Sequence, residues 1–425
     1  MDHGIIHQNP TSTILLVDIP HSIEAAQYLS SDHKLPSRRL ISSKPLSHPY
    51  PSLEPKSQKA KAAIKPLSLQ ELLLVKHLEF ALREVKEGWK GEWCLPRVIE
   101  DGSSSLEQGV QERSRKRMKL DQEPDEAIQN TDRPSPFYSR RNTLDHNHDT
   151  EAPGLFYSNP TSEMQSIQFP SAETIFYIPP HSTFLSGLIP QSLPTLLTPI
   201  STPPRFNLIT LDPPWPNRSA RRKASYNLSS SPVQIRDLLS SIPIHDLLAE
   251  DGLVAIWITN RDSFREMVIG EGGLFEEWDV RSIEEWVWLK VTGEGEPICG
   301  LDGTWRKPWE VCRVGRRRKR DEKVWSQGEW DGDVNGDIKR RVIIGVPDLH
   351  SRKPNLRFLF KKVMGNGMGT EIDENGGDGK EYEALEIFAR NLTAGWWSWG
   401  NEVLKFQNEE CWIDGQMDEQ IAHIT

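Results

Sequence analysis

Phe206-Asn207-Leu208-Ile209-Thr210-Leu211 runs without a break into Asp212-Pro213-Pro214-Trp215-Pro216. The first six residues, rich in large apolar side chains, read as a buried strand. A residue before proline is driven out of the helical region and proline fixes its own φ, so the two prolines after Asp212 stop the strand and hold the turn in one extended shape. A carboxylate and neighbouring carbonyls are thereby fixed at the carboxyl end of a strand, where open α/β sheets bind their ligands.

Working outward, apolar runs of the same kind occur at 174–178, 253–258, 285–291, 309–314, 341–346 and 385–389. Helical patterns fall among them at 232–239, 261–268 and 354–364. Strands alternating with helices predict an α/β fold of the Rossmann-like kind. The polar stretches 316–339 and 365–380 read as loops. Gly365-Asn366-Gly367-Met368-Gly369 has the composition of a nucleotide-binding loop, but it lacks a preceding strand and a following helix, so it reads as a flexible insertion.

Thirteen of the fifteen tryptophans lie after residue 200, which places a catalytic-type domain at 171–412, with a tail at 413–425. Residues 1–100 read as an N-terminal accessory region with a strand at 13–17 and a helix at 67–87. In that helix Leu69, Leu72, Leu73, His77, Phe80 and Ala81 recur at helical spacing, which predicts that this face packs on something. Residues 101–170 are expected to be a mostly disordered linker, because 101–153 hold too few large aliphatic side chains to offset chain entropy.

The chain has 425 residues, is only 36% hydrophobic, and contains no run of about 18 apolar residues, so no membrane association is expected. Its start lacks the basic-then-apolar pattern of a secretion signal, and the expectation is a soluble intracellular protein. Cys94, Cys299, Cys312 and Cys411 are scattered, predicting free thiols and no structural metal. A net charge of −10 argues against binding a polyanion, yet local clusters rather than totals set the field at a groove. Two basic clusters stand out, 113–119 and 316–320. The first has the form read by nuclear import receptors and predicts a nuclear protein, with cytoplasm also open; the alternative is a chance charged patch. The second fits either a solvated loop or a nucleic-acid contact.

Asp-Pro-Pro-Trp after a hydrophobic strand resembles the N6-adenine methyltransferase family that includes the messenger-RNA adenosine writers, and the surrounding sequence resembles its methyltransferase-like-four branch. The likeness spans roughly 175–412. It includes Ile178-Pro179-Pro180-His181-Ser182, Asn217-Arg218-Ser219, Trp257-Ile258-Thr259-Asn260-Arg261 and Glu285-Trp286-Val287-Trp288-Leu289-Lys290. It continues with Lys307-Pro308-Trp309-Glu310, His350-Ser351-Arg352-Lys353-Pro354, Leu385-Glu386-Ile387-Phe388-Ala389-Arg390-Asn391 and Gly395-Trp396-Trp397-Ser398-Trp399-Gly400-Asn401-Glu402. Asp-Pro-Pro-Trp alone fits a structural turn; the ordered set is what carries the resemblance.

The resemblance implies an S-adenosyl-L-methionine-dependent enzyme acting on adenine in nucleic acid, with small nuclear RNA or another RNA first and DNA second. The exocyclic amine of adenine is a poor nucleophile because its lone pair is delocalised into the ring. Acceptors that hold it out of conjugation, in line with a methyl electrophile, lower the barrier by orientation and electrostatics. Asp212 and the Pro213 carbonyl suit that role, on the catalytic turn completed by Pro214 and Trp215. Trp215 is expected to offer a flat face to an extruded base. The resemblance further implies that Asp212, Pro213, Lys353, Phe388, Arg390, Gly400, Asn401 and Glu402 hold the cofactor. Lys353 would take its carboxylate, Phe388 and Arg390 border its adenosine and ribose, and Asn401 and Glu402 bond hydroxyls or adenine. Asn217, Arg218 and Ser219 would meet the nucleotide, and Asn260 and Trp288 the base pocket. Trp396, Trp397 and Trp399 read as packing residues. Ser186-Gly187 stands where relatives often carry an acidic residue, so one cofactor contact is absent or supplied elsewhere. The competing reading is a catalytically inactive, nucleic-acid-binding scaffold subunit. Such relatives tend to lose the acidic residue of the turn, and Asp212 is present. A monomer and a chain needing a partner subunit both fit the sequence.

Overall fold

The structure is a computed structural model, and it describes residues 4–29, 37–51, 66–99, 154–169, 173–197, 205–216, 231–303, 306–318, 338–349, 352–365 and 382–415. Asn217, Arg218, Ser219, the basic cluster at 113–119 and the glycines of 366–369 lie outside these residues. In chain order the strands begin with β1 (Ile5–Gln8), β2 (Ile14–Val17), β3 (Arg38–Ser42), β4 (Val98–Ile99), β5 (Leu155–Ser158), β6 (Gln165–Ile167), β7 (Phe176–Ile178) and β8 (Thr183–Ser186). They continue with β9 (Phe206–Leu211), β10 (Leu248–Ile258), β11 (Val280–Lys290), β12 (Trp309–Arg317), β13 (Lys339–Gly345), β14 (Ala384–Ile387), β15 (Trp397–Gly400) and β16 (Trp412–Asp414). The helices used below are α1 (Ile19–Ala25), α2 (Leu69–Gly88), α3 (Pro232–Ser240), α4 (Asp262–Ile269) and α5 (Arg357–Gly365).

Eleven strands form one sheet in the order β1-β2-β13-β11-β12-β10-β9-β14-β15-β8-β5. All but β1, β12 and β5 run parallel to β9. A parallel sheet must be covered on both faces, and β10 shows how the sequence meets that demand. Val254, Ile256 and Ile258 join a core with Ile235 and Leu239 of α3 and Phe264 and Val268 of α4. Leu253, Ala255 and Trp257, one pleat over, join the opposite core with Leu359, Phe360 and Val363 of α5. The order of strands places the carboxyl end of β9 between β10 and β14, at the centre of the sheet.

Three expectations are corrected. The N-terminal region is not an accessory unit: β2 pairs in parallel with β13, Ile14 opposite Val342, and α2 packs over β2, β11 and β13. This placement follows from the apolar character of Ile14-Leu15-Leu16-Val17, every residue of which is buried. Within α2 the buried residues are Val75, Leu78, Ala81, Leu82 and Val85, while Leu69, Leu72, Leu73 and Phe80 are exposed. The leucines lie on nearly all sides of the first half of α2, so spacing alone selected the wrong face. Residues 155–158, assigned to the linker, form β5 at the far edge of the sheet, where Phe156 packs on Trp397.

The described part of the basic cluster, Arg316 to Arg318, does not border the carboxyl end of β9. Because β12 runs antiparallel to β10, Arg316 lies opposite Leu253, which is level with Leu208, three residues before the end of β9 or roughly 10 Å along the sheet. Arg317 there donates to the Leu248 carbonyl. Among the described residues no helix is long and apolar enough to cross a membrane.

Candidate active site

β9 delivers Asp212 to the sheet's centre, where its N–H donates to the Ile387 carbonyl of β14 at 3.4 Å. The Trp215 N–H donates to the Pro213 carbonyl at 2.8 Å, which closes the turn and leaves that oxygen one lone pair for a further donor. Beside the turn lies a cavity that opens to solvent; its walls include Asp212, Thr210, Trp257, Lys353, Phe388 and Arg390.

The two cations flank Asp212. Lys353 Nζ is 3.5 Å from Oδ1 and Arg390 Nη1 is 3.6 Å from Oδ2. Each cation also has a second carboxylate: Arg390 Nε donates to Glu402 at 3.0 Å, and Lys353 donates to Glu310, which also accepts from Lys290. Burial alone would lower the Lys353 ammonium, but Asp212 and Glu310 outweigh it and hold its pKa above the usual lysine value. Burial would likewise raise Glu310, but the charges of Lys290 and Lys353 hold it well below the usual carboxylate range. The result is a fixed chain of alternating charges, Lys290, Glu310, Lys353, Asp212, Arg390 and Glu402, running across the end of the sheet.

The N-terminal region builds the loop that carries Lys353. Arg352 donates to the Ile41 carbonyl of β3 and to Asp348, both at 2.7 Å. The Asn355 N–H donates to Ser22 of α1 at 3.0 Å, and Ile23 of α1 forms part of the cavity wall. Arg97 donates to the Val346 and Pro347 carbonyls at 2.8 and 2.9 Å. Lys353 then points at the rings of Trp257 and Trp288, 5.2 and 5.9 Å from their centroids, a placement the ring faces favour.

Of the cofactor set inferred from the sequence, Asp212, Lys353, Phe388 and Arg390 line the cavity. Phe388 stands in the left-handed region, φ 65°, with its N–H donating to the Trp399 carbonyl at 2.8 Å. Strain of that kind in a non-glycine residue concentrates at functional sites. Gly400 stands behind it, where a Cβ would come within 3.2 Å of the Phe388 Cα. Asn401 follows Gly400 outside the cavity lining, and Glu402 reaches the site through Arg390.

The substrate assignments fare differently. Trp215 is 7% exposed; its indole N–H donates to the Trp257 carbonyl at 2.7 Å and its ring packs on Phe264 at 4.8 Å, so it is a strut of the turn and not an open platform for a base. Trp288 is also buried, behind Trp257, and it is Trp257 that forms the aromatic wall. Asn260 donates to the Trp309 carbonyl at 2.5 Å, tying the end of β10 to the start of β12. Trp399 is fully buried and donates to Ser192, and Trp396 packs in the cavity wall. Ser186 and Gly187 lie beside the end of β15, where the Gly187 N–H donates to the Gly400 carbonyl at 3.3 Å.

Sequence reading gave no role to Trp257, Glu310 or Glu386. Two of them carried a signal: a glutamate inside an otherwise apolar buried strand is costly unless a partner or ligand meets it. Glu386, on β14 opposite Thr210, lines the cavity, and burial followed by the Asp212 charge pushes its carboxyl up to about 8. Cys312, opposite Trp257, has its thiol pushed far up by burial and by Asp212, which rules it out as a nucleophile at neutral pH.

A mostly parallel sheet with a rigid acidic turn at the end of its central strand, beside a cavity of paired charges, defines a Rossmann-like methyltransferase. The chain belongs to the MT-A70 family, whose model matches residues 206–402. It is 36% identical over 418 residues to the N6-methyladenosine RNA methyltransferase MTA1 of Cryphonectria parasitica, covering 97% of this chain and 94% of that one. It is also 36% identical over 239 residues to the human N(6)-adenine-specific methyltransferase METTL4, covering 56% and 45%. With the Caenorhabditis elegans DNA N6-methyl methyltransferase it shares 30% over 243 residues, covering 56% and 55%.

Proposed function

We propose that this chain is an active S-adenosyl-L-methionine-dependent N6-adenine methyltransferase whose preferred substrate is RNA. The observation that carries the reading is Asp212, present at the end of β9 and held between Lys353 and Arg390 in the cavity wall. A scaffold subunit has no need of a carboxylate held this way.

The residues fit S-adenosyl-L-methionine. Lys353 suits its carboxylate, the acidic side chains of Asp212 and Glu386 suit its cationic end, and Phe388 and Trp257 supply apolar surface. Bound there, the cofactor supplies an electrophilic methyl group. Asp212 and the Pro213 carbonyl accept hydrogen bonds from the adenine amine and turn it out of ring conjugation. Asp212 need not deprotonate neutral adenine, whose amine is far too weak an acid; it receives the proton as the nitrogen gains positive charge. Lys353 and Arg390 fix the orientation of the carboxylate. Trp215, locked to Trp257 and Phe264, holds the turn.

RNA is favoured over DNA because the relative matched along nearly the whole chain is named for RNA, whereas the relative named for DNA matches 56% of it. Nuclear residence is proposed from the basic run at 113–119. The test is purified full-length chain with labelled cofactor and adenine-containing RNA or DNA oligonucleotides, read by nucleoside mass spectrometry. N6-methyladenosine in RNA is the expected product. Cofactor binding without transfer to either nucleic acid would establish the scaffold reading, and transfer to DNA alone would reverse the substrate assignment.

A further inference from the structure

Lys290 stands at one end of the chain of alternating charges and has no part in the mechanism above. It is the last residue of β11; its N–H donates to the Pro308 carbonyl at 2.7 Å and it pairs with Gly345 of β13, so its backbone is fixed on both sides. The side chain lies outside the cavity lining and donates to Glu310 of β12. Its ammonium is 4.6 Å from the centroid of the Trp288 ring, which also has Lys353 Nζ at 5.9 Å. Glu310 therefore takes two cations, and both meet the same aromatic ring.

Lys353 is the residue assigned to the carboxylate of the methyl donor, yet its ammonium already faces Glu310 and, at 3.5 Å, Asp212. Carboxylates that share one cation stand within a few ångströms of each other, so a third anion arriving at Lys353 is repelled by the first two, the more so in a partly buried site. Each resident carboxylate has a second cation that offsets this repulsion. Arg390 lies 3.6 Å from Asp212, and Lys290 is bonded to Glu310. Arg390 does so from within the cavity wall, Lys290 from behind it. We propose that Lys290 is a positioning residue for the methyl donor: it neutralises Glu310 and so leaves the Lys353 ammonium open to the donor's carboxylate. The inference rests on the cofactor reading above. Glu310 sets where Lys353 points, and Lys290 removes the electrostatic cost of keeping that anion beside an anionic ligand.

Calorimetry on the full chain compares Lys290→Met with the wild type. S-adenosyl-L-methionine and S-adenosylhomocysteine, which carry the carboxylate, should bind the variant roughly tenfold more weakly, a usual coupling within one ion-pair network. 5′-Methylthioadenosine, which lacks the carboxylate, should bind both chains within about twofold. In methyl transfer the KM for the cofactor should rise in the same proportion while the KM for RNA stays as it was. Lys290→Arg should restore cofactor binding. In a Glu310→Gln chain, where the anion to be neutralised is gone, adding Lys290→Met should cost less than about twofold. Thermal unfolding checks that each variant folds, and the ligand comparison on Lys290→Met alone decides the assignment should Glu310→Gln not fold. Equal weakening of all three ligands would mark a packing role and overturn the assignment. So would a raised KM for RNA at unchanged cofactor affinity, the sign of a direct phosphate contact, or a loss that persists undiminished in Glu310→Gln. Failure of the wild type to bind any of the three ligands would instead overturn the cofactor reading, and the inference with it.

Discussion

Replacing Asp212 with Asn removes one charge and almost no volume, and the structure sets how the effect divides between activity and stability. Lys353 and Arg390, the two cations beside Asp212, keep Glu310 and Glu402 respectively, so neither is left as an unpaired buried charge. The side chains of Asp212, Lys353 and Arg390 are each about one-fifth exposed, and solvent screens the lost pairs at 3.5 and 3.6 Å. The stability cost is therefore put at about 1 kcal/mol or less, a shift in Tm of roughly 2 °C for a chain of this size. Catalysis loses more. A preorganised acceptor aimed at developing charge contributes about 2.7–4 kcal/mol, so kcat should fall roughly 100- to 1,000-fold. Cofactor affinity should change much less. The assay is methyl transfer to an adenine-containing RNA oligonucleotide at saturating cofactor, with thermal unfolding followed in parallel. Retention of transfer within about fivefold would refute the acceptor role, and a fall in Tm of about 10 °C or more would show that Asp212 is chiefly a structural anchor.

Lys353→Met should preserve the fold while weakening S-adenosyl-L-methionine binding roughly 10- to 100-fold, the value of about 1.5–3 kcal/mol for a charge-assisted bond, as measured by calorimetry. Glu285, buried between Arg313 at 2.5 Å and Arg340 at 2.6 Å, is held below the usual carboxylate pKa by these arginines, which outweigh the effect of burial. Its contribution is present above the unfolded glutamate pKa and is lost as pH falls through the lower folded value. Glu285→Ala should therefore cost about 3–5 kcal/mol in urea unfolding at pH 7, with the difference from wild type shrinking in acid. On α2, Leu78→Ala should cost about 2–5 kcal/mol and Leu72→Ser less than about 0.5, because Leu78 is fully buried and Leu72 is 47% exposed. The reverse ranking would restore the face first read from the spacing.

The strands that position the site were legible because their signal is local. Residues 206–211 were read as a strand with the bounds that β9 has, and Pro213-Pro214 announce its rigid end. What was not legible depended on distant partners. Residues 13–17 read as a strand, but nothing in them says that Val342 to Ile344 lie alongside. Trp215 reads as an exposed aromatic on a turn; its direction is set by Phe264, which belongs to a helix some fifty residues later in the chain. Glu310 and Glu386 lay in strings carrying the resemblance, yet their roles emerge only when β12 and β14 are seen flanking the same cavity region. Residue type gave Lys353 its cofactor partner, whereas the clamps from Ile41 and Ser22 that aim it come from a region that looked dispensable.

The pairing of β2 with β13 has a consequence for synthesis. Roughly 330 residues separate the two partners, so at 5–20 residues per second Ile14–Val17 leaves the ribosome on the order of 15 to 65 seconds before its neighbour exists. Throughout that interval four consecutive apolar residues have only the short β1 to pair with. A nascent chain of this kind should draw on holdase chaperones early, and fragments trimmed to the matched family segment should be prone to aggregate along the uncovered margin of β13.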